Sequence, residues 1–237
     1  MQESRWIAGV VLAAVVIAVW IGPVPQDPAY HLFADSRACG AVPNCLDVLS
    51  NLAFLAVAAV GLARLRYWPA ELRPALAVFW IGVLLVAPGS AWYHWAPDDA
   101  RLVWDRLPMT VAFMGLFAAV LIDRLQVRYW VLPVLVAVGL ASVAVWRLTG
   151  DLRAYGLVQF LPPVVIVTLL VRRPGGAIPA AALIWALGWY AAAKAAEAFD
   201  REILNLTGLV GGHTLKHLLA ALATAGLWRP GAIERWG

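Results

Sequence analysis

The segment GGHTLKHLLAAL, residues 211–222, opens an apolar run with two histidines, His213 and His217, and a lysine between them. Four positions apart on a helix, the two imidazoles lie on one face, one turn apart. That spacing can grip a metal ion, which a helix serving only to pack does not require. Far upstream, Gly89-Ser90-Ala91-Trp92-Tyr93-His94 sets Ser90 and His94 on one helical face. Asp105 follows in Val103-Trp104-Asp105-Arg106, at the head of another apolar run. Three neutral imidazoles and an open fourth position form the usual donor set of catalytic zinc. Zinc acidifies its water and polarises a carbonyl. Asp105 is the candidate to accept that water's proton and hand it to a leaving group. Ser90 is the candidate to hydrogen-bond a developing oxyanion.

Other chemistry competes for these residues. A lone histidine on an apolar face is more often a packed core residue than a ligand. Haem held by two histidines usually takes them from opposite sides of the ring, which His213 and His217 fit poorly. Iron held by two histidines and one carboxylate would use Asp105, and would leave His94 without a task.

The elements that must position these groups are membrane helices. Hydrophobic residues make up 63% of the 237 and charged residues only 14%, against roughly a quarter charged in soluble domains. Eight apolar blocks approach the ~20 residues that cross a bilayer: 6–23, 45–66, 75–95, 103–123, 129–147, 153–171, 178–196 and 209–228. The expectation is an all-α polytopic protein, because lipid offers no partners to open strand edges. The first block reads as a retained helix, since Ile21-Gly22-Pro23-Val24-Pro25 lacks a small-residue cleavage site. Kinks are expected at Pro88 and at Pro162-Pro163.

Lys and Arg bias orients such a chain. With the N-terminus in the cytoplasm and eight crossings, cytoplasmic segments hold ten arginines: Arg5, Arg64, Arg66, Arg73, Arg124, Arg128, Arg172, Arg173, Arg229 and Arg235. Outer segments hold six: Arg37, Arg101, Arg106, Arg147, Arg153 and Arg201. Both termini are therefore expected in the cytoplasm, and all three histidines, Ser90 and Asp105 fall near the outer, periplasmic or lumenal, face. Intramembrane ionisable groups are functional by default. Basic residues here mark loops, so the basic balance implies no nucleic-acid partner, and no obligate protein partner is implied.

The remaining polar residues carry less. Asp47, Ser50 and Asn51, spaced i, i+3, i+4, either orient the metal ligands or join helices. Gly208, Gly211 and Gly212 suggest close helix packing. Lys216 is expected to snorkel or pair with an acid. Lys194, Glu197 and Asp200 read as a solvated or ion-paired helix end, His31 as an ordinary loop residue, and the tryptophans as interfacial anchors. Cys39 and Cys45, the only cysteines, form a disulfide in an oxidising space or remain as two thiols.

The series Ser90-Ala-Trp-Tyr-His94, then Asp105 in WDRLPMT, then His213-x-x-x-His217 resembles the alkaline ceramidase family. That family belongs to a superfamily of membrane hydrolases with the adiponectin and progestin receptors and the enzymes that remodel GPI-anchor lipids. The segment CLDVLSNLAF, 45–54, is similar to the Ser-Asn opening of the family's first core helix. The resemblance covers roughly residues 33–228. It implies a seven-helix core over 45–228, with helix 6–23 as an addition. The chain then divides into 1–30, the added helix and start of the outer loop, and 31–237, a ceramidase-like hydrolase domain. It also implies zinc on His94, His213 and His217, and catalytic roles for Ser90 and Asp105. Such ceramidases bind calcium through acidic residues before the first core helix. Here the candidates are Asp35, Asn44 and Asp47, in a loop poorer in acids, with Asn44 where a glutamate is expected.

The implied activity is zinc-dependent hydrolysis of a membrane lipid amide, ceramide or another N-acyl lipid. The products are a fatty acid and a long-chain amine such as a sphingoid base. The competing class is a receptor or lipid-binding protein with structural zinc. A transporter is a third class, disfavoured because no repeated halves appear.

Overall fold

The computed structural model describes residues 2–230. All eight apolar blocks fold as helices, and no strand forms among the described residues. Arg235, counted among the cytoplasmic arginines, lies outside them. Ten helices follow one another: α1 (Gln2–Ile21), α2 (Cys45–Ser50), α3 (Leu52–Arg64), α4 (Arg73–Trp95), α5 (Asp99–Leu125), α6 (Val131–Thr149), α7 (Arg153–Arg172), α8 (Ala180–Ala198), α9 (Asp200–Thr207) and α10 (Gly212–Ala225).

The helix ends obey local chemistry. The Asp98 carboxylate accepts the Arg101 N–H at 2.7 Å and starts α5. Gly150 takes the left-handed conformation that ends α6. α4 and α7 continue as helices through Pro88 and Pro162-Pro163, as membrane helices allow when neighbouring groups take the freed carbonyls.

Among the described residues, five spans are long and apolar enough to cross a membrane: Cys45–Tyr67, which joins α2 and α3, then α4, α5, α6 and α7. This mark of a membrane protein is narrower than the eight crossings expected. α8 carries Lys194 and Glu197, which lowers its hydropathy. α10 has only 14 residues, and His213, Thr214, Lys216 and His217 open it. Within α1, Arg5–Ile21 is a shorter apolar segment on the same measure.

The core lies along α4 and α5, with Trp68, Leu76, Trp80 and Val120 fully enclosed. Small residues let these helices interlock. A Cβ on Gly82 would stand 2.5 Å from the Ala112 backbone nitrogen. α10 packs against α8, α3 and α2, so the helix bearing two histidines is surrounded by other elements. α1 packs on α7, where the Arg153 Nη1 donates to the Ala18 carbonyl at 3.2 Å.

Candidate metal centre

Each histidine sits at a helix end, and the same end of the bundle gathers all three. His94 is in the last turn of α4, and His213 and His217 are in the first two turns of α10. All are buried, at 0%, 5% and 2% exposure. One nitrogen from each lies within 4.8 Å of the others. The Nε2 atoms of His94 and His213 are 3.3 Å apart. A tetrahedral ion with nitrogens at 2.0–2.1 Å sets its donors about 3.3 Å apart, which is the separation of this pair. The Nδ1 of His94 is buried with no hydrogen-bond partner among the described residues. A buried three-histidine group able to hold a metal ion is thus present, and its donors are compatible with zinc.

Surrounding groups fix the ligands. Ser50 Oγ lies 2.8 Å from His217 Nδ1, leaving Nε2 of that ring for a metal. Asp47 accepts the Thr214 hydroxyl at 2.6 Å, tying α2 to α10 between the two histidines. Asn51 donates to the Asp47 carbonyl at 2.7 Å and so braces the start of α3. Of the two readings open for this trio, Ser50 contacts a ligand directly, while Asp47 and Asn51 join helices. Asp200 accepts the His213 N–H at 2.8 Å and the Ala34 N–H at 2.9 Å. It satisfies an open N–H at the start of α10, a task Gly211 in the capping position cannot perform.

Ser90 and Asp105 are buried at 2% and 6% exposure. The Ser90 side chain is close to the Asp105 carboxylate. Gly89 permits this approach: a Cβ there would stand 2.2 Å from the Trp104 carbonyl oxygen. Ser90, Asp105 and His217 line one cavity of about 1130 Å³, above the roughly 300–1,000 Å³ of ordinary ligand pockets. Its walls away from the histidines are apolar, with Phe79, Val83, Leu161 and Leu183.

The calcium candidates are engaged elsewhere. Asp35 accepts the Arg37 Nε at 2.8 Å and Nη2 at 2.7 Å. The same guanidinium donates to the Leu209 carbonyl at 2.5 Å. The cation on Asp35 is therefore a side chain, which clamps the loop before α2 to the loop before α10. Asn44 donates to the His94 carbonyl at 2.8 Å, and Asp47 serves Thr214.

Other expectations change. Gly208 has φ +64 and an open Cβ position, so it ends α9 by its left-handed conformation and not by close packing. Gly212 does pack closely: a Cβ there would stand 2.0 Å from the Ala196 carbonyl oxygen. Cys39 and Cys45 are joined as a disulfide. His31 is more than a loop residue, with Nδ1 2.9 Å from the Tyr93 hydroxyl and Nε2 3.2 Å from Asp99. Lys216 bonds Glu197 at 2.8 Å and lies 3.1 Å from His213 Nε2. Glu197 also pairs with Lys194. Sequence spacing gave no sign of Phe33, whose ring centroid lies 4.7 Å from His94 and 4.4 Å from His213. It covers both ligands with an apolar face.

A scan against protein-family models finds no match, and a search of the curated proteins finds none.

Proposed function

We propose that this protein is a zinc-dependent intramembrane lipid amide hydrolase, ceramidase-like, acting on ceramide or a related N-acyl lipid. One observation carries the reading: the three buried histidines cluster together, and one of them, His217, lines a large and mostly apolar cavity with Ser90 and Asp105. The motif resemblance points the same way. His94, His213 and His217 would hold the ion, and zinc there supplies a Lewis acid that polarises a carbonyl and acidifies water.

The chain's own residues supply the rest. The apolar walls take up the acyl chain, and Phe33 limits water at the ligand rings. Asp105 accepts a proton from the attacking water at its carboxylate. The Ser90 hydroxyl donates to the oxygen that becomes negative as the carbonyl turns tetrahedral. Collapse breaks the C–N bond, and Asp105 returns its proton to the departing amine. Water is thereby added across the amide, giving a fatty acid and a long-chain amine. The Cys39–Cys45 disulfide supports an oxidising compartment, and with it the arrangement in which the site faces outward and both termini are cytoplasmic.

The test is release of fatty acid from ceramides and other N-acyl lipids by purified protein, beside its Ser90→Ala and Asp105→Asn variants. Release by the parent and its loss in both variants is expected. No release from any N-acyl lipid, with lipid affinity unchanged by zinc removal, would instead make the protein a lipid-binding one.

A further inference from the structure

Arg106 follows the candidate base directly, yet it is not the loop residue its position suggested. It lies inside α5 at 4% exposure and lines the same cavity as Ser90, Asp105 and His217. Its guanidinium carbon sits 4.1 Å from the Trp146 ring, 4.7 Å from Tyr155 and 5.7 Å from Tyr30. Nη2 donates to the Gln26 side-chain oxygen at 2.6 Å. Nε and Nη1 have no hydrogen-bond partner among the described residues, and no described carboxylate forms an ion pair with this group.

Aromatic faces attract a guanidinium, but they accept no strong hydrogen bond from its N–H groups. A buried cation lacking a hydrogen-bonded counter-charge is expensive, and buried donors normally have partners. The neighbouring cations have hydrogen-bonded carboxylates: Lys194 and Lys216 share Glu197, and Arg153 is held by Asp151 at 2.7 Å. Arg106 is the cavity-wall cation without one among the described residues, and its unpaired planar donors suit a carboxylate.

Position says which end of a substrate would bring that charge. Gln26, Tyr30 and Leu152 bound the cavity beside Arg106 and belong to loops or loop ends. Phe79 and Val83, cavity residues that suit an acyl chain, lie about two to three helical turns from Ser90 along α4. We infer that Arg106 forms an anion subsite for a carboxylate on the amine portion of the substrate, so the preferred lipids are of the N-acyl amino acid class. This rests on the proposed hydrolase reading. Hydrolysis of such a lipid adds water across its amide and yields a fatty acid and an amino acid.

The test measures binding to the full-length Asp105→Asn protein in detergent micelles. Its ligands are not consumed there whether the hydrolase reading holds or fails. The probes are N-oleoylglycine, its uncharged counterpart N-oleoylethanolamine, and oleate. N-oleoylglycine is expected to bind roughly 10-fold or more tightly than N-oleoylethanolamine, as hydrogen bonds to a charged group allow. Adding Arg106→Gln should abolish that preference and leave N-oleoylethanolamine affinity unchanged. Arg106→Lys, which keeps the charge without the planar donors, should lower the preference severalfold, and serves if Arg106→Gln does not fold. Equal affinity for the two acylamides, or a preference that survives Arg106→Gln, would overturn the subsite. Equal weakening of oleate and N-oleoylglycine would also overturn it, by placing the fatty-acid carboxylate at Arg106. A charge preference in protein that hydrolyses no acylamide before the Asp105 substitution would overturn the hydrolase reading alone.

Discussion

The Nε2 atoms of His94 and His213 face each other at 3.3 Å across 119 positions of sequence. Two helix ends are held in register to achieve this, α4 through its packing on α5 and α10 through its packing on α8, α3 and α2. The metal site is therefore a property of the bundle, and its failure modes are those of helix placement as well as of ligand chemistry.

Ser50 would act on a bound metal through His217. Its hydroxyl lies 2.8 Å from Nδ1 of that ring and so fixes which nitrogen faces the other histidines. Ser50→Ala is expected to weaken zinc affinity roughly 10–100-fold with little change in melting temperature. Competition with a metal-sensitive dye measures the first and circular dichroism the second.

Asp105 and Ser90 separate chemistry from metal binding. Asp105→Asn should slow amide hydrolysis roughly 10²–10⁴-fold, and Ser90→Ala about 10²–10³-fold. Both variants should retain the parent's zinc content, because neither residue is a ligand. Turnover and metal analysis on the same preparations check this.

Gly212 is where α10 meets α8. Gly212→Val would push a side chain into the Ala196 carbonyl, 2.0 Å from the position of its Cβ, and separate the helices one residue before His213. A loss of about 1–3 kcal/mol is expected, as for other overpacked contacts, together with reduced zinc content. Thermal unfolding of parent and variant in one detergent tests it.

The Asp35–Arg37 clamp predicts a pH dependence. Hydrogen bonds from Arg37 hold the Asp35 carboxyl below the usual carboxylate range. A depressed folded pKa means that stability is fully present above the unfolded value of ~3.9 and is lost as pH falls through the folded one. The melting temperatures of parent and Asp35→Asn should therefore differ most near neutrality and draw together as pH falls below ~3.9 and through the depressed folded value. A gap that widens on acidification would show the sign to be wrong.

What could be read from the chain followed from periodicity and spacing. The eight apolar blocks gave the helices, and the i, i+4 histidine pair with His94 gave the three donors now found together. The count of spans was less legible, because Lys194 and Glu197 in α8 and the short, polar-headed α10 leave those helices below what five described spans reach. Contacts set by tertiary packing left no local trace. Phe33 over the ligand rings and Asp200 on the His213 N–H come from segments whose sequence reads as ordinary loop or helix end. Arg106 was misplaced because positional counting cannot tell a loop arginine from one enclosed by Trp146 and Tyr155. Asp35, a calcium candidate only through the family resemblance, is bonded by the guanidinium of its neighbour Arg37, a contact that residue type alone does not reveal.

The measurement that tests the central claim most directly is metal analysis of the purified protein beside its His217→Ala variant. Near-stoichiometric zinc in the parent and its loss in the variant are predicted. Equal metal in both, or none in either, would contradict the three-histidine site and the hydrolase built on it.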